Sequence, residues 1–298
     1  MGVIVTLLPN SARLQRLRAA VRDRHAIEPC ESWAAVNRAC ESAPVHLAVL
    51  DLYADGAANF ERIRVLRARF PKVALVAYVG ATADRAHDLF DAGRVGFEAL
   101  IVADVDDAPA SLLALVERAE ARSAGATLRA HLGAARPLVR DAAMAAVTRA
   151  HERLTPEGLA RLLLVPRRVL AKRLEDAGFP PPHRLITWGR LIVAAHMLED
   201  GNRSADGVAN ALDFPSGSAF RNTCQRYLRS TPQQIRAAGG SEFVTRALAD
   251  ELRAGQAPAA RASVGEDASE DASDAADDET SDGGDDDGSN GAEDAGAA

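Results

Sequence analysis

Two stretches of the chain, about 50 residues apart, decide the fold of its second half. Residues 155–178 read TPEGLARLLLVPRRVLAKRLEDAG, and residues 204–228 read SADGVANALDFPSGSAFRNTCQRYL. Each stretch begins with a hydroxyl residue that can cap a helix, Thr155 or Ser204, and each contains a central proline that ends this first helix. A short helix, a tight turn and a second helix with outward cations form a helix-turn-helix. We therefore predict two such units, called below the first unit (155–178) and the second unit (204–228).

Helical spacing predicts which apolar side chains each unit buries. In the first unit these are Leu159, Leu162, Leu163, Val169, Leu170 and Leu174. In the second unit they are Phe220, Cys224 and Tyr227. A helix over residues 185–199 is predicted between the units. Its length of about 22 Å suits a rod that separates two reading heads by about one turn of B-DNA.

Over residues 136–238 the chain resembles the DNA-binding domain of the AraC/XylS family of transcription regulators. The resemblance rests on the order and spacing of the two units and on the closing sequence STPQQIR at 230–236. The chain departs from the family pattern at Asp213 and Arg229, where the family favours glycine, at Asn222, where it has a basic residue, and at Cys224, where it has an aromatic one. The resemblance implies an all-α double helix-turn-helix domain that reads double-stranded DNA.

The resemblance also implies which side chains meet DNA. The base-contact candidates are Arg168, Lys172, Ser218, Arg221 and Asn222. The phosphate-contact candidates are Arg167, Arg173, Arg226 and Arg229. Arginine can bind guanine bidentately and asparagine can pair with adenine, whereas phosphate contacts give affinity without sequence preference. The alternative for each of these side chains is a solvated surface position.

The first 122 residues have a different pattern, in which short apolar segments alternate with helical ones. The apolar segments lie at 3–8, 45–50, 73–79 and 100–102, with a weaker one around Ile27. This alternation predicts a five-stranded parallel sheet with helices on both faces. The layout of residues 2–122 resembles a response-regulator receiver domain, which implies a flavodoxin-like α/β fold.

Asp51 ends the third predicted strand, at the edge where an open parallel sheet places its functional site. The resemblance makes it the candidate phospho-acceptor. Phosphoryl transfer to a carboxylate needs a bound cation, which the family holds with an acidic pair where this chain has Leu7-Leu8-Pro9. The family's hydroxyl and lysine, after the fourth and fifth strands, are also replaced, by residues 77–78 and 102–103. We therefore expect that Asp51 is not phosphorylated and that the domain serves as an input or dimer contact.

Shifts in composition divide the chain into five segments. These are a receiver-like domain (1–122), a linker or helical extension (123–136), an AraC-type DNA-binding domain (137–240), a short helix (241–254) and a disordered acidic tail (255–298). The last segment consists mainly of Ala, Ser, Gly, Asp and Glu. It is predicted to be disordered because it cannot bury enough apolar area to offset its ordering entropy.

Charge separates the tail from the rest of the chain. The 298 residues carry 35 basic and 42 acidic side chains, a net charge of −7. Residues 263–298 hold 14 of the acidic side chains and neither Lys nor Arg, so the remainder carries 35 − 28 = +7. A basic body with an acidic tail is typical of a nucleic-acid binder that carries its own counter-charge, and a solvating tail is the alternative.

Other classes of function leave no pattern in the sequence. The three cysteines are scattered, the seven histidines lack metal-ligand spacing, and no Gly-rich phosphate loop occurs. No cofactor, metal or enzyme activity is therefore predicted. No apolar segment has the roughly 18 residues that a membrane span needs, and the first residues lack a secretory signal pattern. A cytoplasmic protein without a membrane partner is expected.

Together these patterns predict a sequence-specific DNA-binding transcription regulator with an atypical receiver-like input or dimerisation domain. Its expected partners are double-stranded DNA, a second copy of the chain joined through the N-terminal domain, and RNA polymerase. The alternative is a protein-interaction adaptor that has lost specific DNA binding.

Overall fold

The computed structural model describes residues 2–42, 45–80, 82–133 and 135–266. Its first part contains five strands, β1 (Gly2–Leu7), β2 (His25–Pro29), β3 (Leu47–Leu50), β4 (Ala74–Val79) and β5 (Ala99–Val102). All neighbouring strands pair in parallel, in the order β2-β1-β3-β4-β5. This is the strand order of flavodoxin-like sheets. The predicted receiver-like α/β fold is confirmed.

Five helices cover this sheet. They are α1 (Ser11–Val21), α2 (Trp33–Ser42), α3 (Phe60–Arg69), α4 (Ala86–Arg94) and α5 (Pro109–His131). The buried side chains form two clusters, one on each face of the sheet. Ile4 and Val49 face α1 and α5, whereas Val5 and Ala48 face α2, α3 and α4. Because both faces are covered, the strands are apolar at consecutive positions instead of at alternate ones.

The chain continues with helices only. They are α6 (Pro137–Thr148), α7 (Pro156–Leu162), α8 (Arg167–Asp176), α9 (Pro182–Glu199), α10 (Ala205–Ala211), α11 (Gly217–Leu228), α12 (Pro232–Ala237) and α13 (Ser241–Glu266). We call residues 137–259 the helical half and residues 2–131 the sheet half. The two predicted helix-turn-helix units correspond to α7 with α8 and to α10 with α11.

One helix belongs to the cores of both halves. In α5, Leu112 and Val116 pack in the core of the sheet half, and Ala124 and Leu128 pack in the core of the helical half. The stretch predicted as a linker or helical extension, 123–136, is thus helical as far as His131. Residues 1–259 form one compact unit.

Two predicted core positions of the first unit are wrong. The side chains of Val169 and Leu162 are 41% and 43% exposed. Val169 lies beside the buried stripe of α8, which Leu170 and Leu174 form one turn apart, and Leu162 lies on the last turn of α7. Cys224 is buried as predicted, and burial raises the pKa of its thiol to about 12, so the thiolate is scarce at neutral pH.

The predicted short helix and tail meet within α13. This helix begins at Ser241 and extends to Glu266, beyond the predicted boundary at 254, and Val244, Leu248 and Leu252 join the core of the helical half. Residues 267–298 of the predicted acidic tail lie outside the described residues. Across the ranges that are described, no helix combines the length and the apolarity that crossing a bilayer requires.

Candidate nucleic-acid interface

The first helix of each unit begins with the same cap. Thr155 Oγ1 accepts a hydrogen bond from the Gly158 backbone N–H at 3.0 Å, and Ser204 Oγ accepts one from Gly207 at 3.0 Å. Such caps satisfy an amide at the helix start that has no partner inside the helix. The caps predicted for α7 and α10 are confirmed.

The turns inside the two units also share one backbone geometry. Leu164 in the first unit and Asp213 in the second adopt φ angles of 55° and 56°. The residue after each turns its N–H back to the helix: Val165 donates to the Ala160 carbonyl and Phe214 to the Ala209 carbonyl, at 3.1 and 2.9 Å. This is a Schellman-type helix end, whose left-handed residue favours glycine. Two departures from the family pattern thus fall on left-handed positions: Asp213, and Arg229 at φ 53°.

The second helix of the first unit presents cations to solvent. Leu170 and Leu174 anchor α8 in the core. Arg168 and Arg173 are exposed, and neither pairs with a group in the described part of the chain. The base-contact candidate Lys172 places its Nζ 3.3 Å from Asp176 Oδ1.

An acidic residue on the first helix of each unit reaches an arginine on the second. In the first unit, Glu157 Oε1 lies 2.6 Å from Nη1 of Arg167, a phosphate-contact candidate. In the second unit, Asp206 Oδ1 lies 3.2 Å from Nη1 of Arg221, a base-contact candidate. The same kind of ion pair therefore involves a phosphate-contact candidate in the first unit and a base-contact candidate in the second.

The remaining candidates of the second unit lie on the exposed side of α11 and at its end. Ser218, Asn222, Arg226 and Arg229 are all exposed. The Arg226 guanidinium lies 5.9 Å from the centre of the Tyr227 ring. Since Phe220 and Cys224 face the core, the candidates share the opposite side of the helix.

Helix α9 separates the units and is a core element. It has 18 residues, or about 27 Å at 1.5 Å per residue, which is longer than predicted. It packs against α7, α8, α10 and α12 and is buried along most of its length. The two units are therefore held on one shared core.

Asp51 has a partner that sequence reasoning missed. Its side chain is mostly buried at the end of β3, and Arg13 Nη1 of α1 lies 3.0 Å from Asp51 Oδ2. The Tyr53 N–H donates to the other oxygen, Oδ1, at 2.9 Å. The carboxylate is thus neutralised by a guanidinium from the chain itself.

A buried ionic cluster joins the sheet half to the second unit, and it too was missed. Glu120 of α5 is fully buried, with its Oε1 2.8 Å from Arg203 Nη2, and Arg203 directly precedes the cap residue Ser204. Although burial opposes ionisation, the Arg203 guanidinium lowers the pKa of Glu120. His25 Nδ1 lies 3.3 Å from Arg203 Nη2, and burial lowers the pKa of His25 to about 4.

A cavity of about 260 Å³ lies beside this cluster. Arg24, Glu117 and His151 line it. Burial raises the pKa of Glu117 to about 7, against the effect of the neighbouring Arg24. The sequence signal that could have revealed the cluster is the pair of acidic residues, Glu117 and Glu120, inside the apolar pattern of α5.

Comparison with known proteins identifies the helical half. Residues 159–238 match the helix-turn-helix domain family, of the AraC type. This part of the chain is therefore a helix-turn-helix domain. The AraC-type resemblance is confirmed over these residues.

Two solved response regulators are similar to the chain at low identity. The RcsB response regulator of Salmonella typhimurium is 13% identical, with 63% of this chain and 98% of that chain covered and a TM-score of 0.34. Full-length FixJ from B. japonicum is 12% identical, with 76% and 96% covered and a TM-score of 0.33. No match was found among curated proteins. At these TM-scores the two likenesses carry no argument, and the receiver-like fold rests on the strand order.

Proposed function

We propose that the protein binds specific DNA sites through both units and that its sheet half serves as an input and dimerisation module. The observation that carries the proposal is the exposed face of α8, where Arg168 and Arg173 have no protein partner within the described ranges. When a partner covers this face, the guanidinium groups lose water and need other hydrogen-bond acceptors. Guanine edges and phosphates supply such acceptors. The match over residues 159–238 supports the same role.

The roles divide by position on the two recognition helices. Arg168, Lys172, Ser218, Arg221 and Asn222 are proposed to contact bases, and Arg167, Arg173, Arg226 and Arg229 to contact phosphates. Lys172 and Arg221 must exchange Asp176 and Asp206 for DNA when they bind. Since exposed ion pairs contribute at most about 1 kcal/mol, this exchange is inexpensive.

The test is DNA binding by the full chain across a salt series. A site selected from random duplexes is compared with a shuffled duplex of equal length. The proposal expects affinity for the selected site to exceed that for the shuffled one by at least about 10³-fold, with both falling as salt rises. Equal affinities with a steep salt slope would reduce the interaction to phosphate attraction. That result would favour the adaptor, for which the Arg221–Asp206 pair is the supporting observation.

The sheet half is proposed to work without phosphorylation. Arg13 already neutralises Asp51, and the apolar Leu7 and Leu8 lie at the end of β1, where a cation would need carboxylates. Beryllofluoride with magnesium should therefore leave the amide NMR shifts around Asp51 unchanged. Shift changes confined to that region would overturn this part of the proposal.

Dimerisation is proposed to use the sheet half. Phe90 of α4 is 68% exposed, which is unusual for a large aromatic side chain. Light scattering at micromolar concentration should give the mass of two chains, and Phe90→Ser should lower the dimer fraction. A monomer for the native chain would contradict the proposal. Contact with RNA polymerase belongs to the same proposal and is tested by transcription in vitro from a promoter carrying the selected site.

A further inference from the structure

Three metal-ligand side chains meet where the sheet half packs on α9. His46 lies immediately before β3, and His196 and Glu199 lie one turn apart on α9. One ligand atom from each of the three side chains lies within 4.8 Å of the other two. The imidazole rings of His46 and His196 meet edge to face, with centroids 4.8 Å apart.

The two imidazoles are buried, and three of their four nitrogens lack hydrogen-bond partners among the described residues. His46 is 7% exposed and His196 is 2% exposed. Both ring nitrogens of His46, and Nε2 of His196, are buried without a hydrogen-bond partner in the described part of the chain. Buried polar atoms almost always have partners.

Glu199 is held in place by Ser241, the first residue of α13. Its Oε1 accepts hydrogen bonds from the backbone N–H and the hydroxyl of Ser241, at 2.7 and 2.5 Å. Gly240 adopts a left-handed conformation with φ 59°, and a Cβ there would collide with the Glu199 side chain. The second oxygen, Oε2, lies 3.9 Å from the Nζ of Lys72, whose side chain is mostly exposed. One carboxylate oxygen is therefore fixed and the other is available to a ligand.

We propose that His46, His196 and Glu199 bind one divalent transition-metal ion of the zinc class. Two imidazole nitrogens and one carboxylate oxygen suit zinc, whereas magnesium and calcium prefer sites made of oxygen alone. The donor atoms of a tetrahedral zinc site lie roughly 3.4 Å apart, whereas those of the three side chains lie within 4.8 Å of one another. Side-chain rotations that move each donor atom by about 1 Å would therefore bring all three to the ion. Water or an external ligand takes the fourth position.

Such an ion would connect the two halves of the protein. His46 belongs to the sheet half, and the other two ligands belong to α9, against which both units pack. An ion that binds the folded chain alone stabilises it by mass action. The site would therefore tie the fold, and with it the spacing of the two units, to the availability of the metal.

The test measures zinc on the full chain after treatment with a chelator and dialysis against buffered zinc. The site variants are His46→Gln, His196→Gln and Glu199→Gln. The matched control is His183→Gln, because His183 is an exposed residue on the same helix. The native chain and the control should each retain one tightly bound zinc ion, and each site variant should bind it at least about 100-fold more weakly. All variants keep the 14 carboxylates of residues 263–298, so weak binding to the tail cancels in the comparison.

Cobalt(II) provides a second, spectroscopic readout on the native chain. Cobalt(II) bound to the native chain should give the strong visible absorption bands of a four-coordinate site with nitrogen ligands. Weak octahedral bands, or zinc retention by the native chain no greater than that of His46→Gln, would overturn the proposal.

Discussion

The first and second units have the same backbone but present different charges. Both begin with a hydroxyl cap and both turn through a left-handed residue. In the first unit the acidic residue of the leading helix pairs with Arg167 and leaves Arg168 free, whereas in the second unit it pairs with Arg221. The turn geometry thus tolerates Leu or Asp in place of glycine, and the surface charges distinguish the units. The first unit should therefore contribute more to specific affinity.

The largest expected effect concerns the buried ion pair of Glu120 and Arg203, which joins the sheet half to the second unit. Glu120→Ala removes the nearer carboxylate of buried Arg203 and leaves only Asp200, 3.6 Å from its Nε. The free energy of unfolding should fall by about 3 kcal/mol, the lower end of the range for a broken buried ion pair. Chemical denaturation monitored by circular dichroism measures the loss. Glu152→Ala is the control, because Glu152 forms half-exposed pairs with Arg149 and Arg118 that are worth at most about 1 kcal/mol. Equal losses in the two variants would mean that the buried Glu120–Arg203 pair stabilises the fold no more than an exposed ion pair does.

Acid should weaken the same buried cluster, because His25 lies beside Arg203. His25 has a pKa of about 4 in the folded protein and 6.5 as the reference value. Because the unfolded chain binds a proton more readily, the stabilising contribution is complete above pH 6.5 and is lost as the pH falls toward 4. Stability at pH 5 should be about 2 kcal/mol lower from this group alone. Burial lowers the pKa values of His46, His151 and His196 in the same direction.

Denaturation at pH 7.5 and pH 5, with a chelator present, measures this difference. His25→Gln should reduce the pH dependence. A pH dependence that is identical in His25→Gln and in the native chain would remove His25 from the explanation.

Arg168 and Arg173, the two exposed arginines of α8 without a partner among the described residues, give the next prediction. Arg168→Ala should weaken binding to the selected site by about 1–3 kcal/mol and leave binding to shuffled DNA nearly unchanged, because it removes a base contact. Arg173→Ala should weaken both and lower the salt slope by about 1, as expected for a phosphate contact. Arg18→Ala, an exposed arginine on α1, is the control. Fluorescence anisotropy on both duplexes measures all three, and an Arg168→Ala loss that is equal on both duplexes would reassign this residue to phosphate.

The left-handed residues in the turns of the two units, Leu164 and Asp213, differ in how they tolerate that conformation. Leu164→Gly should stabilise the protein by about 0.5–1 kcal/mol, since a left-handed non-glycine residue costs about 1–2 kcal/mol and glycine loses part of that gain to entropy. The Leu164 side chain is 92% exposed, so little packing is lost. Asp213→Gly should gain less, because aspartate tolerates the conformation better and its ion pair with Arg153 is lost. Thermal unfolding ranks the two variants, and a larger gain for Asp213→Gly would reverse the argument.

The smallest effect concerns the acidic partners. Asp206→Asn frees Arg221 and should tighten binding to the selected site by about 0.2–1 kcal/mol. Glu157→Gln frees Arg167, a phosphate-contact candidate, and should tighten binding to selected and shuffled duplexes equally. In the same assay Arg221→Ala should cost more than Asn222→Ala. If Asp206→Asn leaves the affinity for the selected site unchanged, the charge difference between the units does not affect specific DNA binding.

The sequence predicted the features that depend on near neighbours. The five parallel strands follow from alternating apolar and helical patterns, and the caps at Thr155 and Ser204 follow from hydroxyl residues before helical patterns. Val169 was misplaced because one position on a helix shifts a side chain by about 100°, which exposes it beside a buried Leu170. Which arginines face DNA was inferred from resemblance, and that assignment stays a prediction.

The features that were missed join residues far apart in the chain. Glu120 meets Arg203, Arg13 meets Asp51, and His46 meets His196 only after the sheet and helices have packed. The local periodicity of the sequence does not predict such long-range pairs. For the histidines, the sole local signal is that His196 and Glu199 lie three positions apart, on one face of a helix.

Helix α5, with 23 residues, has a consequence for how the protein can be divided. Its first turns complete the core of the sheet half and its last turns complete that of the helical half. A chimera that exchanges the sheet half for another at residue 122 would cut through this helix and leave both cores open. Recombination that conserves function should instead leave Pro109–His131 and both of the cores that it completes intact, and a protease should find no exposed hinge there.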